Sequence, residues 1–172
     1  MIKYLFTNNN LLGSKIISGA TKREYQKTKD CPSHAAICFM DRWIFHSNFA
    51  NGVHIQSYYS FKKKNNIVAS LRESECGLSR TECILFQDQL VRKAEGAKYD
   101  YMAVCYFAYR IILKWLFRLP IPDKNKWEVE DKWFCNEIFE LKLGYDCSMK
   151  TPNDIMWALL EHDDFDSCEV FP

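Results

Sequence analysis

His34-Ala-Ala-Ile-Cys-Phe39, Trp43-Ile-Phe-His46 and Val53-His-Ile-Gln-Ser-Tyr58 follow one another with only short polar breaks between them. Each run is short and rich in β-branched or aromatic residues, and each is bounded by turn-forming residues, Asp41-Arg42 and Asn51-Gly52. That pattern predicts three antiparallel strands joined as a meander. Ile67–Leu71 adds a fourth candidate strand, and residues 2–6 (IKYLF) read as a short strand before the meander. Residues 10–19 read as a helix and the polar stretch 21–33 as a loop. The Lys62-Lys63-Lys64 run reads as a solvated turn.

The second half changes period. Arg80–Ala94 carries Ile84, Leu85, Leu90 and Val91 at helical spacing, and Gly96 follows as a stop. Tyr101–Leu119 reads as a helix ended by Pro120, with Arg110, Lys114 and Arg118 recurring every four residues on one face. A polar connection follows over 120–132. Cys135–Leu143 then reads as a helix with Gly144 just past its end, and residues 153–161 as a last short helix after Thr151-Pro152. Strands first and helices after give an α+β fold. No linker divides the chain, so the expected organisation is one domain over 1–160. Residues 161–172 hold five acids and no Lys or Arg, and read as a solvated acidic tail.

Composition bounds the function. A chain of 172 residues with 48% hydrophobic and 26% charged residues is an ordinary globular chain, not a disordered one. Lys plus Arg is 23 against 22 for Asp plus Glu. A nucleic-acid partner demands a clear basic excess, so that class is excluded. No run of apolar residues is long enough for a transmembrane helix. The N-terminal stretch has no secretory layout, so a cytoplasmic location is expected. Eight cysteines sit at 31, 38, 76, 83, 105, 135, 147 and 168 without any CxxC spacing. They read as free and mostly buried thiols, with no metal or organic cofactor implied.

The candidate chemistry rests on histidines and one cysteine. The histidines are His34, His46, His54 and His162. Direct opposition of His34 and His46 requires a hairpin centred on Met40, slightly before the Asp41-Arg42 turn signal, an offset that a bulge could absorb; both rings then share one face, with Cβ atoms about 5 Å apart. One imidazole then orients the other and leaves it a free nitrogen as a base. Half-buried strand histidines are also common as plain structural residues. Cys135, in Trp133-Phe134-Cys135-Asn136-Glu137-Ile138, sits where a polar loop becomes a helix anchored by Phe134, Ile138 and Leu141. In a first helical turn the dipole lowers a thiol pKa, and unpaired N–H groups can bind an oxyanion. A buried structural cysteine fits the same pattern.

Taken together, His34-Ala-Ala-Ile, Trp43-Ile-Phe-His46, Gly52-Val53 and the later Phe134-Cys135-Asn136-Glu137 resemble the circularly permuted NlpC-type papain-like superfamily. That group includes the lecithin–retinol acyltransferase family. The resemblance spans roughly residues 3 to 160. It implies a papain-like antiparallel sheet with packed helices. Its implied roles are Cys135 as nucleophile, His34 as general base and then acid, and His46 as the orienting group. The Cys135 N–H would contribute to an oxyanion hole, with Tyr99 and Tyr101 as candidate side-chain donors. The implied function is a cysteine-dependent amide or peptide hydrolase working through a thioester. The alternatives are a phospholipase or acyltransferase of the lecithin–retinol type, and a non-catalytic interaction module on the same fold. The partner is then a peptide, amide or lipid acyl substrate. The basic stripe of 101–119 reads either as the solvated face of a core helix or as a peripheral contact with anionic lipid.

Overall fold

In a computed structural model the HAAICF run forms strand β2, His34–Phe39. The structure describes residues 2–24, 26–73, 79–94, 97–122, 124–127, 129, 132–133, 135–144, 146–161 and 165–170. Strand β1 is Ile2–Asn8, followed by helix α1, Leu12–Thr21. After β2 come β3, Trp43–Asn48, and β4, Gly52–Ser57. Helix α2, Tyr58–Lys64, leads into β5, Asn66–Glu73. Helix α3, Arg80–Ala94, a short β6, Lys98–Tyr99, and helix α4, Tyr101–Phe117, follow. The chain closes with β7, Lys132–Trp133, a 3-10 turn Glu137–Phe139, helix α5, Glu140–Leu143, helix α6, Pro152–Leu160, and β8, Phe165–Val170. Among the described residues the main sheet has six strands in the order β4-β3-β2-β1-β5-β8, with every neighbouring pair antiparallel. The fold is α+β, and β6 and β7 form a separate parallel pair.

The period-2 pattern of the strands sorts residues onto two faces. Ile2, Tyr4 and Phe6 of β1, with Ala35, Ile37 and Phe39 of β2, Phe45 of β3, and Ala69 and Leu71 of β5, face one side. There they bury Phe86 and Leu90 of α3, Ile138 and Phe139, and Ile155, Met156 and Leu159 of α6. Helix α6 is held at its start by a capping box between Thr151 and Asp154. The opposite face is smaller. Leu5, Ala36, Cys38 and Ile44 lie beneath Phe61 of α2.

The hairpin between β2 and β3 corrects one expectation. Phe39 pairs with Trp43, Cys38 with Ile44 and Ile37 with Phe45, which centres the hairpin on Asp41 instead of Met40. Met40 and Asp41 both take positive φ, and the Arg42 N–H donates to the Phe39 carbonyl across the turn. That is the type I′ pattern, whose twist matches the strands it joins. His34 and His46 are therefore diagonal neighbours. A shift of two residues keeps face parity, so both still project from the same face.

Three further expectations change. Tyr58 is not the end of a strand but the first residue of α2, capped by the Ser57 hydroxyl, which accepts from the Ser60 N–H. The Lys62-Lys63-Lys64 run is the last turn of that helix, where cations suit the dipole. Cys135–Leu143 is not one helix. A turn at Cys135 and Asn136 leads into the 3-10 segment and the four-residue α5, which Gly144 ends in a left-handed conformation. Within the segment read as a solvated acidic tail, Phe165–Val170 pairs with β5 as an edge strand. Strands at an edge tolerate charge, which also discourages pairing with another chain.

Gly52 fixes the far end of the meander. Its φ is +67°, and a Cβ there would come within 2.6 Å of the Ala97 carbonyl oxygen. That same oxygen accepts from the Val53 N–H at 3.0 Å. Only glycine allows this approach of β4 to the strand that carries Tyr99.

Candidate functional site

Two histidines meet on the smaller face of the sheet. His34 Nε2 and His46 Nδ1 lie 2.9 Å apart, a hydrogen bond between rings. His46 Nε2 is in turn 2.8 Å from the Gln56 side-chain nitrogen. Phe61 of α2 stands edge-on to His46, and His54 lies across the β3–β4 pair, directly opposite His46. Its own ring is fixed by Nδ1–H donating to the Gly52 carbonyl and Nε2 accepting from Asn48.

The chain Gln56–His46–His34 has two proton arrangements. With the Gln56 amide N–H donating, His46 carries its proton on Nδ1 and donates to His34 Nε2. His34 then holds its proton on Nδ1. Rotating the amide by half a turn places its oxygen on His46 Nε2–H and reverses every donor. His34 then donates from Nε2, and its Nδ1 presents a lone pair. The second arrangement is the one that makes His34 a base, and both fill the same space.

His34 keeps one edge on an open cleft of about 940 Å³. His46, His54, Gln56, Asn48 and Tyr99 line the same cleft. Leu11 and Ile17 of the α1 segment and Phe49 supply apolar wall, and Lys63 and Lys64 supply positive charge. Burial is the first cause that moves both histidines. It holds His34 down to about 4, with His54 adding repulsion, and His46 down to about 2, with His34 and His54 adding repulsion. Both rings are neutral at neutral pH.

This neutrality makes a stability prediction. In the unfolded chain each histidine takes up a proton as pH falls through about 6.5, while the folded chain refuses it until well below. The unfolded state then binds more protons, so stability falls as pH drops from about 6.5 towards about 4. Urea midpoints measured across that window are expected to decline steeply for the wild type. His46→Gln, which removes one of the two buried bases, is expected to reduce that slope by about one proton. An unchanged slope would show that His46 titrates normally.

Cys135 is placed close by, but not in contact. Its thiol is buried, at 8% exposure, in a cluster with Ala103 against which Tyr99 and Val104 pack. Its sulfur donates weakly to Asn136 Oδ1 at 3.4 Å, while Asn136 holds the Lys150 carbonyl through its Nδ2. The Ala35 N–H, next in the chain after His34, is directed at the sulfur and favours a thiolate. Among the described residues no hydrogen bond joins Cys135 to His34 or His46, and Cys135 does not line the cleft. The faces explain this. Ile138 and Phe139, which anchor the Cys135 segment, belong to the larger core, whereas the histidines project on the opposite side. The two approach each other at the start of β2, where the Ala35 N–H next to His34 is directed at the Cys135 sulfur, and nearby the Ser47 hydroxyl donates to the Trp133 carbonyl.

The expected lowering of the Cys135 pKa is overturned. Burial pushes the thiol up to about 12, with Glu137 adding to the rise and the N–H groups of Ala35 and Cys135 only partly offsetting it. With a turn in place of a first helical turn, the dipole contribution is lost as well. The resting pair is therefore a neutral thiol and a neutral imidazole, not an ion pair.

Tyr99 is shared by both halves of the site. It packs against Cys135 and lines the cleft. Burial raises its phenol pKa, so it stays a hydroxyl donor. Tyr101 is committed elsewhere, since its hydroxyl donates to the Phe49 carbonyl. Sequence reasoning singled out His34 and His46 but gave no role to His54 or Gln56. Their even spacing in β4 put them on the His46 face, which was the available signal. His162 and Phe134 lie outside the described residues. Cys31, Cys38, Cys83, Cys105, Cys135 and Cys147 are free thiols, as expected. Among the described residues no group of three His, Cys, Asp or Glu side chains is arranged to hold a metal ion. No family model matches the chain, and neither a curated protein nor a solved structure matches it.

Proposed function

We propose that the protein is a cysteine-dependent hydrolase of amide or peptide bonds on a permuted papain-like fold, with Cys135 as nucleophile, His34 as base and His46 as orienting group. The observation that carries this reading is the His34–His46 hydrogen bond on the wall of an open cleft. A ring bonded through Nε2 to a second, buried imidazole has one nitrogen left for proton transfer, Nδ1. The Cys135 proton passes to that nitrogen as the sulfur attacks the substrate carbonyl carbon. The leaving amine then takes the proton from His34, which leaves a thioester on Cys135. Water, deprotonated by His34, attacks the thioester and releases the acid. Because both groups are neutral at rest, proton transfer accompanies attack. The apolar wall of Leu11, Ile17 and Phe49 also suits an acyl group, which keeps transfer to a second acceptor within the same chemistry.

A second reading, a non-catalytic module on this fold, is favoured by the burial of Cys135 and its high pKa. An activated ester separates the two. With p-nitrophenyl acetate the hydrolase reading expects a stoichiometric burst of nitrophenolate and an acetyl group mapped by mass spectrometry to Cys135. Cys135→Ala is expected to abolish the burst. Acetylation confined to the exposed Cys105 or to lysines would favour the non-catalytic module.

A further inference from the structure

Helix α4 is packed along only part of its length. Ala103 and Tyr106 are buried, and Asn125 and Trp127 of the following connection return against this half. The distal part departs from the body. Ile112, Leu116 and Leu119 are exposed, Phe117 is 66% exposed and Trp115 is 80% exposed. Seventeen helical residues extend about 25 Å, so this end lies about that far from Tyr101 at the start of the helix. The sequence expectation of a core helix with one solvated face therefore fails for the distal half, where the apolar residues themselves are solvated.

Charge decides what covers such a surface. Residues 101–122 contain no Asp or Glu, while Arg110, Lys114 and Arg118 lie four residues apart. The Arg110 guanidinium is tied to the Pro120 carbonyl, but Lys114 and Arg118 are exposed and form no ion pair among the described residues. Lys124 and Lys126 are exposed on the returning connection. The core of a protein–protein interface is depleted of charged residues, lysine among them. A bilayer interface takes this mixture readily: aromatic and aliphatic side chains enter the acyl boundary while long cationic side chains reach the headgroups. Among the described residues no helix is long and apolar enough to cross a membrane.

We propose that the distal half of α4 is a docking element for anionic phospholipid bilayers, with Trp115 and Leu116, which share a face with Ile112, entering the interface and Lys114 and Arg118 contacting headgroups. The element lies outside the candidate catalytic machinery and does not depend on it. Co-sedimentation of the full chain with vesicles tests it, using phosphatidylcholine alone and phosphatidylcholine mixed in equal parts with phosphatidylserine. The protein is expected to pellet with the mixed vesicles and to be released by added salt. Lys114→Gln with Arg118→Gln is expected to weaken that binding roughly 25-fold, about fivefold for each cation. Trp115→Ser with Leu116→Ser is expected to weaken binding at least roughly tenfold through lost apolar insertion. All four side chains are exposed, so these variants retain the fold. Cys135→Ala is expected to bind as the wild type does. Wild-type protein left in the supernatant, or variants that bind as well as wild type, would overturn the proposal. So would a dimer in analytical ultracentrifugation that Trp115→Ser with Leu116→Ser dissociates, since the face would then seat a second copy of the chain.

Discussion

His34→Ala is expected to slow acetylation of Cys135 by about 10²–10⁴-fold, the range that removal of a positioned base commonly costs. The Cys135 thiol has a pKa pushed up to about 12, so the thiolate is scarce at neutral pH and cannot form without a nearby acceptor. His34 is the acceptor the fold supplies. Its Nε2 is spent on His46, its Nδ1 is left, and its backbone leads directly into the Ala35 N–H that faces the sulfur. His46→Gln is expected to cost less. An amide at that position can still accept from His34 Nε2–H, and Gln56 beyond it would keep one partner. An orienting group selects the tautomer and stabilises the imidazolium, while the base moves the proton itself. The measurement is the burst rate of each purified variant against pH, with circular dichroism to verify folding. Equal losses, or a larger loss for His46→Gln, would transfer the base role from His34. A burst unaffected by either change would remove the histidines from the reaction altogether.

What the sequence disclosed follows the range of the interactions involved. Strand β2 and helix α3 match the residues read from pattern because alternation in HAAICF and helical spacing in Arg80–Ala94 are local and uncontested. The shared face of His34 and His46 was legible because parity survives a register shift of two. The register itself was not, since it depends on two non-glycine residues, Met40 and Asp41, accepting positive φ. Helix α2 left no periodic trace, because only Phe61 of its seven residues is buried. Strand β8 owes its form to pairing with β5, a contact almost a hundred residues distant in the chain, and its acidic composition argues locally for solvent. The helical spacing around Cys135 misled for a related reason. Ile138 and Phe139 satisfy the core equally well from a 3-10 turn, and nothing local distinguishes that from an α-helix. The depth of Cys135 was hidden too. It is set by Ala103 of α4 and Tyr99 of β6, which the sequence places more than thirty residues away.

Phe139→Ala is expected to destabilise the fold by about 3–5 kcal/mol, the cost of emptying an aromatic site in a packed core. Phe139 is fully buried, with its ring 5.7 Å from Tyr4 and 5.8 Å from Phe6 of the central strand β1. The backbone on either side is a 3-10 turn and a four-residue helix, which have little stability of their own. The segment that carries Cys135 is thus held to the sheet chiefly by Phe139 and its neighbour Ile138. Urea unfolding reads the loss as a lower midpoint with an unchanged slope. Leu159→Ala, in the capped helix α6 on the same core, is the comparison and is expected to cost about 2–5 kcal/mol. The two variants separate stability from placement. Below the urea transition Leu159→Ala is expected to keep the Cys135 burst, because α6 does not carry the thiol. Phe139→Ala is expected to lose the burst while still folded, because its cavity frees the turn that sets the sulfur against the Ala35 N–H. A cost under about 1 kcal/mol for Phe139→Ala would contradict the buried anchor. An intact burst in that variant would show that Cys135 is positioned by α4 and Tyr99 instead.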